Sequence, residues 1–122
     1  MEQPRVLVVD DEPDIRDILE RLLSLSGFEI AVAGNGADAI KLCKSFLPHI
    51  VLLDVMMPDS SGIETLQKIR EFDKEVKIIM VSGMHDLTVA KEAISLGAID
   101  YLTKPFDLKE LDSFLKSLLP AG

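Results

Sequence analysis

Apolar runs alternate with amphipathic segments about five times along the chain, the pattern of a parallel sheet whose strands are joined by helices. Three runs are apolar nearly throughout: Val6-Leu7-Val8-Val9, Ile50-Val51-Leu52-Leu53 and Val76-Lys77-Ile78-Ile79-Met80-Val81. Such runs suit strands covered by helices on both faces. Two others are weaker. Phe28-Glu29-Ile30-Ala31-Val32 alternates, and Ile99-Asp100-Tyr101-Leu102 is short and half polar. The first, third and fourth strands are therefore expected in the centre, with the second and fifth at the edges.

The intervening segments read as helices. Pro13 stands where a first helical turn tolerates proline. Ile15, Ile18, Leu19, Leu22 and Leu23 follow as one apolar stripe, and Gly27 closes the helix. A second helix is predicted over Ala37–Phe46, and a third over Ile63–Phe72 with Ile63, Leu66, Ile69 and Arg70 at helical spacing. A fourth covers Asp86–Leu96 and ends at Gly97. The fifth carries Leu108, Leu111, Phe114, Leu115 and Leu118 on one side. Right-handed crossovers with two edge strands leave few topologies. The strand order 2-1-3-4-5 satisfies them, and it is matched here to the known flavodoxin-like order. The expected fold is thus α/β, a three-layer doubly wound five-stranded parallel sheet. Ligands of such sheets bind beyond the carboxyl ends of the strands, where the order reverses.

The 122 residues fit one domain spanning 1–122; the tail Pro120-Ala121-Gly122 reads as a domain boundary or a terminus. With Cys43 as the only cysteine, a disulfide framework and a cysteine-rich zinc site are excluded. Ile40, Cys43 and Leu47 share an apolar helix face, so Cys43 reads as a small core residue. The net charge of −8 argues against direct binding of nucleic acid or an anionic membrane. No signal-peptide core or membrane-length apolar run is present in the sequence, so a cytoplasmic setting is expected.

The residues that follow the strands carry the chemistry. The first strand ends in Asp10-Asp11-Glu12, the third in Asp54 and the fourth in Ser82-Gly83, while the fifth is followed by Thr103-Lys104-Pro105. In the expected topology these carboxylates, one hydroxyl and one ammonium meet at one edge. Crowded carboxylates raise one another's pKa unless a cation is present. Oxygen ligands without histidine suit Mg²⁺ and not zinc. Magnesium, lysine and a hydroxyl are the equipment of phosphoryl transfer, and a carboxylate can serve as its nucleophile. Asp54, between the other groups, is the best acceptor. The plainer readings are helix-capping or dipole-favoured acids for Asp10 and Asp11, a loop acid for Asp54, a turn residue for Ser82 and a solvated Lys104.

Together, Val8-Val9-Asp10-Asp11-Glu12, Leu53-Asp54-Val55-Met56-Met57-Pro58 with Gly62, Ser82-Gly83 and Tyr101-Leu102-Thr103-Lys104-Pro105-Phe106 resemble the receiver domains of two-component response regulators. The resemblance covers essentially the whole chain, in order. It implies that Asp54 accepts a phosphoryl group from a sensor histidine kinase or a histidine phosphotransfer protein. It implies that Asp11, Asp54 and the backbone carbonyl of Met56 bind Mg²⁺, with Asp10 supporting the site through water. Lys104 would contact the phosphoryl oxygens, and the Lys104-Pro105 peptide would be cis. Ser82 would hydrogen-bond the new phosphate, with Gly83 leaving room and Tyr101 shifting inward. The surface of the fourth helix, fifth strand and fifth helix would then change its preference for a downstream output domain or protein, and is a candidate phosphorylation-dependent homodimer surface. Such a domain is a regulatory switch and not a true enzyme, although it assists its own phosphorylation and dephosphorylation.

Two positions are unusual against that resemblance. Met56 and Met84 should overhang the phosphoryl group, where relatives often carry polar residues. Thioethers orient an attacking water poorly, so slow self-dephosphorylation is expected. Two other readings differ in class. A haloacid-dehalogenase-like phosphatase would resemble Asp-x-Asp after the first strand and would need more chain for a cap. A pseudo-receiver would lack one of the site groups, yet Asp10, Asp11, Asp54, Ser82 and Lys104 are all present. The stretch Thr88-Val89-Ala90-Lys91-Glu92-Ala93, with Leu96-Gly97-Ala98, is similar to receivers of enhancer-binding regulators and hybrid kinases, and to stand-alone receivers.

Overall fold

The structure is a computed structural model that describes residues 3–57, 60–83 and 86–119. Pro58, Met84 and the tail 120–122 lie outside them. In chain order the elements are β1 (Arg5–Val9), α1 (Pro13–Leu25), β2 (Glu29–Ala33), α2 (Gly36–Ser45), β3 (Ile50–Asp54), β4 (Met56–Met57), β5 (Ser60–Ser61), α3 (Gly62–Phe72), β6 (Lys77–Ser82), α4 (Leu87–Ser95), β7 (Asp100–Thr103) and α5 (Leu108–Ser117).

The five longer strands form one parallel sheet in the order β2-β1-β3-β6-β7, the 2-1-3-4-5 order expected for the five apolar runs. Burial explains their ranking. In β1, β3 and β6 every residue but the first of β1 and of β6 is buried, whereas β7 is half-buried throughout and β2 is buried only at Ala33. Alternate side chains of the central strands feed two cores. Leu7, Val9, Val51, Leu53, Ile78 and Met80 face a cluster with Leu66, Ile69 and Ala90, and Cys43 sits in it as a core residue. Val6, Val8, Ile50, Leu52, Ile79 and Val81 face a second cluster with Leu19, Leu23, Leu111 and Leu115. The sheet is thus the middle of three layers, with α2, α3 and α4 on one side and α1 and α5 on the other.

Helix boundaries follow their local signals. Gly27 at φ 100° and Gly97 at φ 120° occupy the left-handed region after α1 and α4, which glycine enters without a Cβ clash. Asn35 and Ser61 cap α2 and α3 through their side chains. Arg70 adds a tie that joins three segments. Its guanidinium donates to the carbonyls of Gly97, Val76 and Asp73, so the end of α3 is bonded to the turn after α4.

Three features differ from the sequence reading. The short antiparallel pair β4–β5, Met56 opposite Ser61 and Met57 opposite Ser60, was not anticipated, since two residues are too short for periodicity to register. Leu47, expected on the helix face of Cys43, lies beyond α2 and is 59% exposed; Ile18 and Leu108, expected on buried stripes, are 49% and 38% exposed. Ile18 and Leu108 line an open groove of about 450 Å³ with Ile15, Leu19, Pro105 and Phe106. No helix among the described residues is long and apolar enough to cross a membrane.

The core assignment is checked by paired truncations. Leu66→Ala, at a fully buried position, should cost about 2–5 kcal/mol in denaturant unfolding. Leu25→Ala, at a position 80% exposed, should stay within about 0.5 kcal/mol of wild type. Equal effects of the two would contradict the layer assignment.

Candidate functional site

Parallel register brings the strand ends to one level. Val9 pairs with Ala33 and Leu53, and Asp54 pairs with Val81, so Asp10, Asp54 and Ser82 leave the sheet side by side. Ser82 pairs with Thr103, and its carbonyl accepts from the Lys104 N–H at 2.7 Å. That bond starts the loop that returns the lysine to the centre. The Lys104-Pro105 peptide is cis, as the resemblance implied.

The side chains converge. Asp10, Asp11 and Asp54 each offer a carboxylate oxygen within 4.8 Å of the others. Lys104 Nζ lies 3.1 Å from Asp10 Oδ2 and 3.4 Å from Asp54 Oδ2. Asp10 is held on every polar atom. Its N–H donates to Ala33 O at 3.0 Å, its carbonyl accepts from Arg16 Nη1 at 2.6 Å, Oδ1 accepts from the Glu12 N–H at 2.9 Å, and Oδ2 takes the lysine. Asp54 Oδ1 accepts from the Met56 N–H at 3.2 Å. Ser82 is fully buried, and among the described residues its hydroxyl has no hydrogen-bond partner. A buried hydroxyl gains from a partner, and this one stands at the strand end next to Asp54.

Electrostatics follows from this packing. Burial pushes the Asp54 carboxyl up to about 6; the Lys104 charge opposes the rise, Asp10 adds to it, and the hydrogen bond from Met56 opposes it. Burial alone would lower the Lys104 ammonium, but its hydrogen bond with Asp10 and the charges of Asp54 and Asp10 hold it above its ordinary value.

Tight backbone packing fixes the loop after Asp54. A Cβ on Gly62 would clash with Asp54 O and lie 2.9 Å from both Val55 Cα and Val55 O, so only glycine lets the start of α3 touch this loop. Beyond Ser82, a Cβ on Gly83 would make ordinary van der Waals contact with Asp86 Oδ2 at 3.8 Å. Met56 is 58% exposed in the loop after Asp54, and Met84 is outside the described residues. Tyr101 is half-buried on β7 against the first core cluster.

The structure therefore brings together Asp10, Asp11, Asp54 and Lys104 with Ser82 at the adjacent strand end, while Tyr101 lies on β7. The sequence reading missed Arg16 and Gly34. Arg16 Nη1 would lie 2.8 Å from a Cβ on Gly34, so its guanidinium fills a notch that a side chain at position 34 would invade. One signal was available: a cation in the first turns of a helix opposes the helix dipole and asks for a local acceptor. The oxygen-only donor set, three carboxylates with an adjacent ammonium, can hold a hard metal ion.

The response regulator receiver domain family matches residues 6–116. A probable transcriptional regulator ycf27 of Porphyridium aerugineum is 39% identical over 119 residues, covering 98% of this chain and 49% of that protein. The transcriptional regulatory protein PrrA of Mycobacterium tuberculosis is 40% identical over 116 residues, covering 95% and 50%. The chain thus spans about half the length of these curated relatives. Among solved structures, the receiver domain of NtrX from Brucella abortus superimposes with a TM-score of 0.88 at 34% identity, covering 93% of this chain and 97% of that one. With its strand order, its strand-end carboxylates and these relatives, the chain belongs to the response regulator receiver domain family.

Proposed function

We propose that this chain is a single phospho-acceptor switch, with Asp54 as the residue that takes a phosphoryl group from a phosphohistidine of a sensor kinase or phosphotransfer protein. The observation that carries this reading is the fully buried Ser82 hydroxyl, without a hydrogen-bond partner among the described residues, beside a carboxylate that already has a lysine at 3.4 Å. Those are the acceptor-side groups an incoming phosphoryl oxygen needs.

In the proposed reaction an Asp54 oxygen attacks phosphorus, the P–O bond forms as the P–N bond to the donor imidazole breaks, and the electron pair leaves with that nitrogen. Lys104 then turns from the two carboxylates to a phosphoryl oxygen. Ser82 donates its hydroxyl proton to another, and Gly83 leaves the approach open. Asp11, Asp54 and the Met56 carbonyl would hold magnesium, with Asp10 behind them. When bound, magnesium would neutralise charge on the phosphoryl oxygens. The inward movement of Ser82 vacates space toward β7, Tyr101 follows it, and the α4–β7–α5 surface changes its preference for an output domain, an output protein or a second copy of the chain. Net charge of −8 leaves nucleic acid to that partner.

The exposed Met56 thioether offers no useful acceptor for orienting a hydrolytic water, so the proposed acyl phosphate should be long-lived. Met56→Asn should shorten its lifetime, read as intact mass against time; an unchanged decay would reject this role for Met56.

The acceptor is tested by intact mass after incubation with Mg²⁺ and acetyl phosphate. Wild type should gain one phosphoryl group and Asp54→Ala none. A gain in both would mean that another residue is the acceptor.

The raised Asp54 pKa also sets a stability trend without divalent cations. The folded protein holds this proton up to about pH 6 and the unfolded chain only to about 3.8, so stability contributed by the protonated form is lost as pH rises through that window. Asp54→Asn should therefore stabilise the protein above about pH 6, by up to roughly 3 kcal/mol. The advantage should vanish near pH 4 in urea titrations. A constant advantage across this range would contradict the cause.

A further inference from the structure

We infer that Arg16 is a positioning residue for metal binding: by holding the Asp10 carbonyl it fixes the Asp10–Asp11 peptide plane and, through it, the aim of the Asp11 carboxylate. The inference rests on the reading of Asp11 as a metal ligand.

The two acids are held very differently. Asp10 has partners from β2, α1, the loop at Glu12 and Lys104. Asp11 is half-buried, and no hydrogen bond to its carboxylate is found among the described residues. Its direction is therefore inherited from the backbone. A peptide unit is planar, so the Asp10 carbonyl and the Asp11 N–Cα bond turn together. Arg16 grips that carbonyl at 2.6 Å, and the peptide unit on the other side of Asp11 is tied by the Glu12 N–H donating to Asp10 Oδ1 at 2.9 Å. With both flanking peptide units tied, the Asp11 Cα–Cβ bond has little freedom left.

Arg16 is itself wedged. The backbone of α1 starts under it, with the Arg16 N–H donating to Glu12 O at 3.2 Å. Its guanidinium lies in the notch over Gly34, where a Cβ would stand 2.8 Å from Nη1 and 3.4 Å from Cζ. Gly34 is not in the left-handed region, so an alanine there would fit the backbone and act only by pushing the guanidinium away. This separates the role of the tie from the role of the charge. Arg16→Met removes both, whereas Gly34→Ala removes the tie and keeps the charge.

The test is calorimetric titration of Mg²⁺ into wild type, Arg16→Met, Arg16→Lys and Gly34→Ala, with metal-free thermal melts of each. Loss of a group that orients a ligand typically weakens metal affinity by about tenfold or more. Arg16→Met and Gly34→Ala should each show that loss, and Arg16→Lys, which keeps a donor, should recover most of it. A purely structural role would instead lower the melting temperature and leave the Kd of the folded protein unchanged. Tighter binding in Arg16→Met with an unchanged Gly34→Ala would mean that Arg16 acts only by charge, and would overturn the inference. If Arg16→Met does not fold, Gly34→Ala decides. No magnesium binding by wild type would reject the metal reading itself, a failure distinct from an unchanged Kd in the variants.

Discussion

Three carboxylates converge within 4.8 Å of one another, and the molecule is organised to keep them there. Left alone, such a cluster would repel and take up protons. Lys104 is the group that holds it together, touching Asp10 and Asp54 at once. The lysine belongs to neither acid exclusively, so a phosphoryl group that draws it away changes both contacts together. A two-way ion pair of this kind is a natural place for a switch, because the change in charge is local and its consequences are carried by the backbone to which each partner belongs.

The fold supplies that backbone. Parallel strands in the order β2-β1-β3-β6-β7 deliver the acids, the serine and the lysine to one edge from four different strands, so no short segment could assemble the site alone. The two cores beneath it are closely packed and do not adjust to small shifts. Above them, Gly62 allows α3 to touch the loop after Asp54. Arg70 fastens the opposite end of the same layer, bonding the end of α3 to the turn after α4.

Much of this was legible in the sequence because the strands obey simple rules. Val6–Val9, Ile50–Leu53 and Val76–Val81 are apolar for the reason that they are covered twice, and their polar successors are the site. Helix ends were readable at Gly27 and Gly97, where the backbone requires glycine. Tertiary pairings were not. Nothing local links Arg70 with Gly97, 27 residues away, or Arg16 with Gly34. Ile18 continues the α1 stripe in sequence yet stands at a groove, because periodicity identifies a face without saying whether a neighbour reaches it. The β4–β5 pair is too short to leave any pattern.

The central claim, that Asp54 is the acceptor in this cluster, is tested most directly by reducing the phosphorylated protein with borohydride and mapping the product by peptide mass spectrometry. An acyl phosphate on an aspartate is converted to homoserine, which marks the carboxylate that carried it. Homoserine is expected at position 54 alone. Homoserine at Asp10 or Asp11, or a phosphoryl group that survives reduction on another side chain, would contradict it.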